Sequence, residues 1–173
     1  MGVVTLGLAK IEVGAIAGDG GMGTDLATLG YTYQDSCTMT QDDPEETEHY
    51  AEEVDDPIVV KRRKGKTTFA FQIMDPDVDT LVAVLGGTKT TTGEAPDEVD
   101  TWNAPDKVPT IEKSLRITPE EGLQIDIPRG SITAKINGTF SKTGIFLIDV
   151  SVTPLKPTKA GLTAMQATPL AAE

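Results

Sequence analysis

Cysteine is nearly absent from these 173 residues. Cys37 stands alone, which excludes an internal disulfide and a thiolate zinc cluster. Histidine is as scarce: His49 is the only one, it lies among carboxylates, and no G-x-S-x-G serine accompanies it, so it reads as a solvated loop side chain. Aromatic residues make up 5% of the chain, leaving few platforms on which nucleic-acid bases stack. The net charge of −12 argues the same way, because phosphate contacts need clustered Lys and Arg. No apolar run approaches the ~20 residues needed to cross a bilayer. The opening MGVVTLGLAKIEVGAIAGDG alternates apolar with polar residues and lacks the basic, apolar and small-residue regions of a secretory leader. Synthesis and use in a cytoplasm is the expectation, with no membrane partner.

The clearest unit present is KTTFAFQIMDPDVDTLVAVLGG, residues 66–87. Phe69, Phe71 and Ile73 recur with the period of a strand that buries one face. Asp75-Pro76 then reads as an N-cap followed by proline at the first helical position. Val78, Leu81, Val82 and Leu85 share one helical side, and Gly86-Gly87 supplies a stop. A helix over about 75–86 is predicted, with Leu81 and Leu85 in the core.

Around it the chain reads as strands. Residues 8–16 and 31–41 are predicted strands, separated by a glycine-rich loop. IVVKRR (58–63) and KTTFAFQIM (66–74) flank Lys64-Gly65, which reads as a hairpin turn. Segments 110–118, 122–128, 130–140 and 144–153 read as an antiparallel meander, each strand with one apolar and one mostly polar face. The predicted fold is mainly β: an antiparallel β-sandwich or small barrel with one flanking helix. A single domain spans 1–153, with long loops at 42–57 and 88–109; the second carries Trp102, on a short edge strand, as a docking residue. Residues 154–173 have no strand or helix signal that survives their prolines and read as a C-terminal arm, mobile until a neighbour orders it.

Three local motifs lose to plainer readings. Gly18–Gly23 matches G-x-G-x-x-G after a strand, but TDLATLG offers barely two helical turns and no crossover follows, so a flexible loop is expected over a dinucleotide site. Asp75, Asp77 and Asp79 open like a calcium loop, yet Thr80 and Gly86 stand where glycine and glutamate are required. Asn137-Gly138-Thr139 reads as a turn. No catalytic, cofactor or metal residues are expected.

Charge placement is more informative. Nine of the 27 acids lie within residues 42–56 with no Lys or Arg among them, and without those nine the net charge would be −3. Lys61, Arg62, Arg63, Lys64 and Lys66 follow at once. The plain interpretation is a solvated loop beside a solvated turn. The sharper one is two complementary patches that meet between copies, a contact of unlike surfaces that builds rings or filaments. Glu45, Glu46, Glu48, Glu52, Glu53, Lys61, Arg62, Arg63, Lys64 and Trp102 are the candidate subunit-interface residues.

In layout the chain resembles a bacteriophage major tail protein, the subunit of a tail tube, and the related inner tubes of contractile injection systems. The resemblance rests on the first strand and glycine-rich loop (8–30), the charged insertion before a hairpin (42–66), the single helix (75–86), the closing meander (110–153) and the polar C-terminal arm. It implies a self-assembling structural virion protein in stacked, hexameric rings around a DNA conduit. It also implies contacts with tape-measure and tail-terminator proteins, only transient, non-specific passage of DNA, and assembly in the bacterial cytoplasm into the virion tail. A head-decoration or adhesin domain is the first alternative, and a dinucleotide-dependent enzyme using residues 18–23 the second.

Overall fold

The computed structural model describes residues 2–170. Twelve strands and one helix follow in the order β1 (Lys10–Gly14), β2 (Leu26–Thr28), β3 (Thr38–Gln41), β4 (Glu45–Ala51), β5 (Val54–Arg63), β6 (Thr67–Ile73), α1 (Val78–Leu85), β7 (Thr88–Thr92), β8 (Val99–Asn103), β9 (Ile111–Thr118), β10 (Leu123–Gly138), β11 (Phe146–Pro154) and β12 (Gln166–Pro169). Eight of the strands form one antiparallel sheet ordered β2-β1-β9-β10-β11-β6-β3, with β12 also paired to β10. Its end strands, β2 and β3, do not pair with each other, so the sheet does not close into a barrel.

The sheet folds over on itself, an arrangement consistent with a β-sandwich, and β10 is the strand that makes the bend. Its first half pairs with β9 and β12, and its second half pairs with β11. The β9 register shifts between Ile127 and Gly130, leaving Pro128 and Arg129 outside the ladder. Such a bulge bends a strand and increases its twist. Segments 122–128 and 130–140 are therefore one strand, where the sequence suggested two adjacent ones. Asn137-Gly138 lies within this strand and is not a turn.

The alternating apolar residues meet between the layers. Ile11, Val13, Leu115, Ile117 and Ile127 come from one side of the bend, and Ile132, Phe69, Phe71, Ile73, Ile148, Val150 and Val152 from the other, in one buried cluster. The bulge's polar groups are also satisfied. Ser114, fully buried, donates its hydroxyl to the Pro128 carbonyl at 2.7 Å and accepts from the Gly23 N–H at 2.8 Å. Leu155 N–H donates to the Arg129 carbonyl at 2.7 Å. Two bidentate ion pairs, Arg116–Asp126 and Arg129–Glu112, brace the bend on its polar side.

The helix is shorter than expected, and its most buried positions are not the ones read. It starts after Asp77, whose carboxylate accepts the Thr80 N–H at 2.7 Å, so Asp77 and not Asp75 is the N-cap. The hydroxyl of Thr80 and then its backbone N–H hold the Asp77 carboxyl below its ordinary pKa. Asp75 instead accepts the Tyr31 N–H at 2.5 Å, tying the loop before β3 to the end of β6. Thr80 and Val84 are the buried helical positions, and Leu81 and Leu85 pack against the core half-buried. Val84 faces Ile111, Ile132 and Ala134 around a small void of about 40 Å³.

The segment expected as a free C-terminal arm is folded onto its own chain. Gln166–Pro169 pairs with Asp126–Leu123, Met165 packs on the core, and Lys159 bonds Asp19 at 2.7 Å. Its isolated prolines masked a short strand that needs only four residues. Residues 171–173 of the expected arm lie outside the described residues.

Candidate functional site: a ribbon beyond the sheet

Nowhere does the structure depart further from the sequence reading than over residues 42–66. The acidic segment, expected as a loop, forms β4, and its partner is the basic strand β5. Glu45 lies opposite Arg63, Glu46 opposite Arg62, and Thr47 opposite Lys61. Opposite charges placed directly across an antiparallel pair stabilise it, so the two charge runs select each other. Arg62 and Glu46 make an ion pair at 2.6 Å. Lys64-Gly65 is not the hairpin turn. The chain passes straight through it from β5 into β6, while β3 leads into β4 on the other side, and the Asp42 N–H donates to the Lys66 carbonyl at 2.9 Å. Gly65 is needed at this neck, because a Cβ there would collide with the Asp42 carbonyl oxygen. The true turn is Glu52-Glu53, between Ala51 and Val54.

The result is a two-stranded ribbon that continues the β3–β6 ladder out of the body. Every residue of β5 is exposed, as is every residue of β4 except Ala51. Charge is sorted along its length. Glu48, Glu52, Glu53, Asp55 and Asp56 give the outer part five acids and no base. The root holds Asp42, Asp43, Glu45 and Glu46 against Lys61, Arg62, Arg63, Lys64 and Lys66, a net of +1. Apolar side chains are exposed between them: Tyr50, Val54, Ile58, Val59 and Val60. Tyr50 donates its hydroxyl to the Glu48 carboxylate, which raises the phenol pKa. His49 lies opposite Val59, exposed.

Trp102 sits elsewhere. The expected loop 88–109 contains the β7–β8 hairpin, in which Trp102 lies opposite Lys89. Its indole N–H donates to the Gly86 carbonyl at 2.8 Å, capping the end of α1. Lys89 bonds Asp100 at 2.8 Å and Asp79 at 3.1 Å, so this hairpin is clamped to the helix. The ten interface candidates thus divide: nine share the ribbon, and Trp102 is half-buried against its own helix.

The glycine-rich loop is pinned. Gly20 adopts φ +78°, a Cβ there would strike the Thr158 hydroxyl, and Asp19 is bonded by both Lys159 and the Gly21 N–H. Those two contacts, Lys159 first, hold the Asp19 carboxyl below its ordinary pKa. Leu26–Thr28 follows as an antiparallel strand where a dinucleotide site requires a helix. Among the described residues no group of three or more His, Cys, Asp or Glu is placed to hold a metal ion.

Two concave surfaces complete the inventory. One, of about 510 Å³, lies on the polar face of β10, β11 and β6. Its carboxylate, Asp149, already receives bonds from Gln72 at 2.6 Å and Asn137 at 3.1 Å, with Lys135 at 3.4 Å. The other, of about 920 Å³, opens between the N-terminal segment and residues 30–39, over Phe69, Ile117 and Ile125. The second is lined by Lys10, Tyr31, Tyr33, Asp35 and the free Cys37, whose thiol pKa is raised by burial.

The signal for the ribbon was present in the sequence as the complementary pairs Glu45-Glu46 and Arg62-Arg63, spaced symmetrically about Val54; a register shift between His49 and Ala51 moves the turn to Glu52-Glu53. The exposed Phe140, at the far end of the sheet, carried no signal beyond its hydrophobicity. No protein-family model matches the sequence, and no curated protein matches it.

Proposed function

We propose that this chain is a structural, self-assembling subunit of a phage tail tube, forming stacked rings around a DNA conduit. The observation that carries the reading is the β4–β5 ribbon. A two-stranded ribbon is marginal in water without a third layer, and this one exposes five large apolar or aromatic side chains. An element of that kind is completed by contact with another molecule. The polar face of β10, β11 and β6, with Asp149 at its centre, suits a lumen wall past which DNA slides without adhering. Tape-measure and tail-terminator proteins are the expected partners at the tube's interior and end.

Negative-stain electron microscopy combined with light scattering on the purified full chain tests this reading. Rings or tubes that grow with protein concentration are expected. Dispersed particles of about 18 kDa at all concentrations would overturn it.

A further inference from the structure

We infer that the β10–β11 hairpin end of one copy docks on the β4–β5 ribbon of a second copy, a contact that rests on the self-assembly reading above and specifies which surfaces meet. The two surfaces lie at opposite ends of the same layer. Val152 pairs with Phe69 and Ile148 with Ile73, so the ribbon leaves β6 at its Thr67 end while residues 139–145 project beyond Ile73. Between them run about eight residues of β11, or ~27 Å of strand.

The hairpin end is apolar and unpartnered. Phe140 is 90% exposed, Ile136 51% and Ile145 42%. Ile136 belongs to the inward-facing series of β10 but lies past the core, with nothing over it. The loop is nevertheless organised: Phe140 packs on Phe146 with ring centroids 5.6 Å apart, and the Gly144 N–H donates to the Ser141 hydroxyl at 2.8 Å. The ribbon offers the matching half: Val59, with His49 opposite it, on one face and Ile58 and Val60 on the other, all exposed with no layer beneath.

Charge selects between the possible occupants. Two hairpin ends meeting face to face would bring one Lys142 against another. Two ribbons meeting at their outer parts would oppose five uncompensated acids with five more. Hairpin end against ribbon sets Lys142 beside those acids and buries apolar surface on both sides. The surfaces are unlike, so one contact leaves a ribbon free on one copy and a hairpin end free on the other, and the contact propagates from copy to copy, closing into a ring where the rotation permits. Complementary potential of this sort steers encounter and excludes wrong pairings.

Two measurements on the full chain decide it. Phe140→Ser should weaken self-association at least tenfold in sedimentation velocity while leaving the thermal melt of the dilute, unassembled subunit little changed, since the ring is exposed there. In a Cys37→Ala background, His49→Cys and Thr143→Cys variants mixed together with oxidised glutathione as the oxidant should form an inter-copy disulfide that neither gives alone. Homodimers of Thr143→Cys alone, or wild-type assembly by Phe140→Ser with no mixed disulfide, would overturn this contact and leave the assembly reading standing. A wild-type chain that stays monomeric would overturn both.

Discussion

Ser114→Ala should destabilise the protein far more than the loss of one hydroxyl suggests. The side chain is fully buried, and its oxygen serves two partners at once, donating to Pro128 and accepting from Gly23. Pro128 sits in the bulge where the β10 register shifts, so no ladder N–H reaches its carbonyl. Alanine would leave a buried acceptor and a buried donor unpaired, each costing about 1–3 kcal/mol. A total of about 3 kcal/mol corresponds to a fall in melting temperature of about 6–12 °C for a chain of this size. Differential scanning calorimetry reads the shift, and Ser131→Ala, on the same sheet but half-buried, serves as control. A fall below about 2 °C for Ser114→Ala would mean that water or a relaxed backbone replaces both bonds, and that the hydroxyl does not hold the bend.

Three further outcomes follow from the same structure. Truncation after Thr153 should destabilise the folded subunit by about 3 kcal/mol or more, because it removes the β12 ladder and several hydrogen bonds; an unchanged urea midpoint would return the tail to the status of a free arm. Val84→Ala should cost about 2 kcal/mol and Val82→Ala less than about 1, since the same atoms are removed from a buried and a half-buried site; equal losses in chemical denaturation would show that α1 is rotated from the described face. Asp77→Ala should cost about 0.5–2 kcal/mol near neutral pH through loss of the cap. Because the folded pKa of Asp77 is depressed, its contribution is present above the unfolded value near 3.9 and lost as pH falls through the lower folded value. The gap between wild type and variant should therefore narrow in acid, and a gap independent of pH from 7 to 2 would refute the assignment of Asp77 as a charged cap.

The strands of the core were legible because their period of two is a direct imprint of one-sided burial. Phe69, Phe71 and Ile73 and the alternating residues of β11 lie inward as read. What failed was wherever position depended on a distant partner. The acidic run reads as a loop by composition, and only its pairing with β5 makes it a strand. Pro128 reads as a break between two strands, although a bulge satisfied by Ser114 and Leu155 lets one strand carry on through it. The helix face was read in part: Leu81 and Leu85 do pack on the core, half-buried, while the packing of Ile111, Ile132 and Ala134 makes Val84 the most buried apolar position. The single helix itself was sound, starting two residues later than Asp75 predicted.

Pairing within the ribbon also limits what could hold copies together in the proposed assembly. Glu45, Glu46, Arg62 and Arg63, expected to reach across to a neighbour, are opposite one another in one chain. Exposed ion pairs contribute only about 0–1 kcal/mol each, so breaking them to re-form others between copies gains nothing. Their role is local: they fix the register of a ribbon that has no core, and the Asp42–Lys66 bond ties that ribbon to the β3–β6 ladder. The ribbon carries its exposed Ile58, Val59 and Val60 away from the body. In the assembly proposed above, with the root charges committed in this way, affinity between copies would come from apolar surface, and the five outer acids would decide which surface that is.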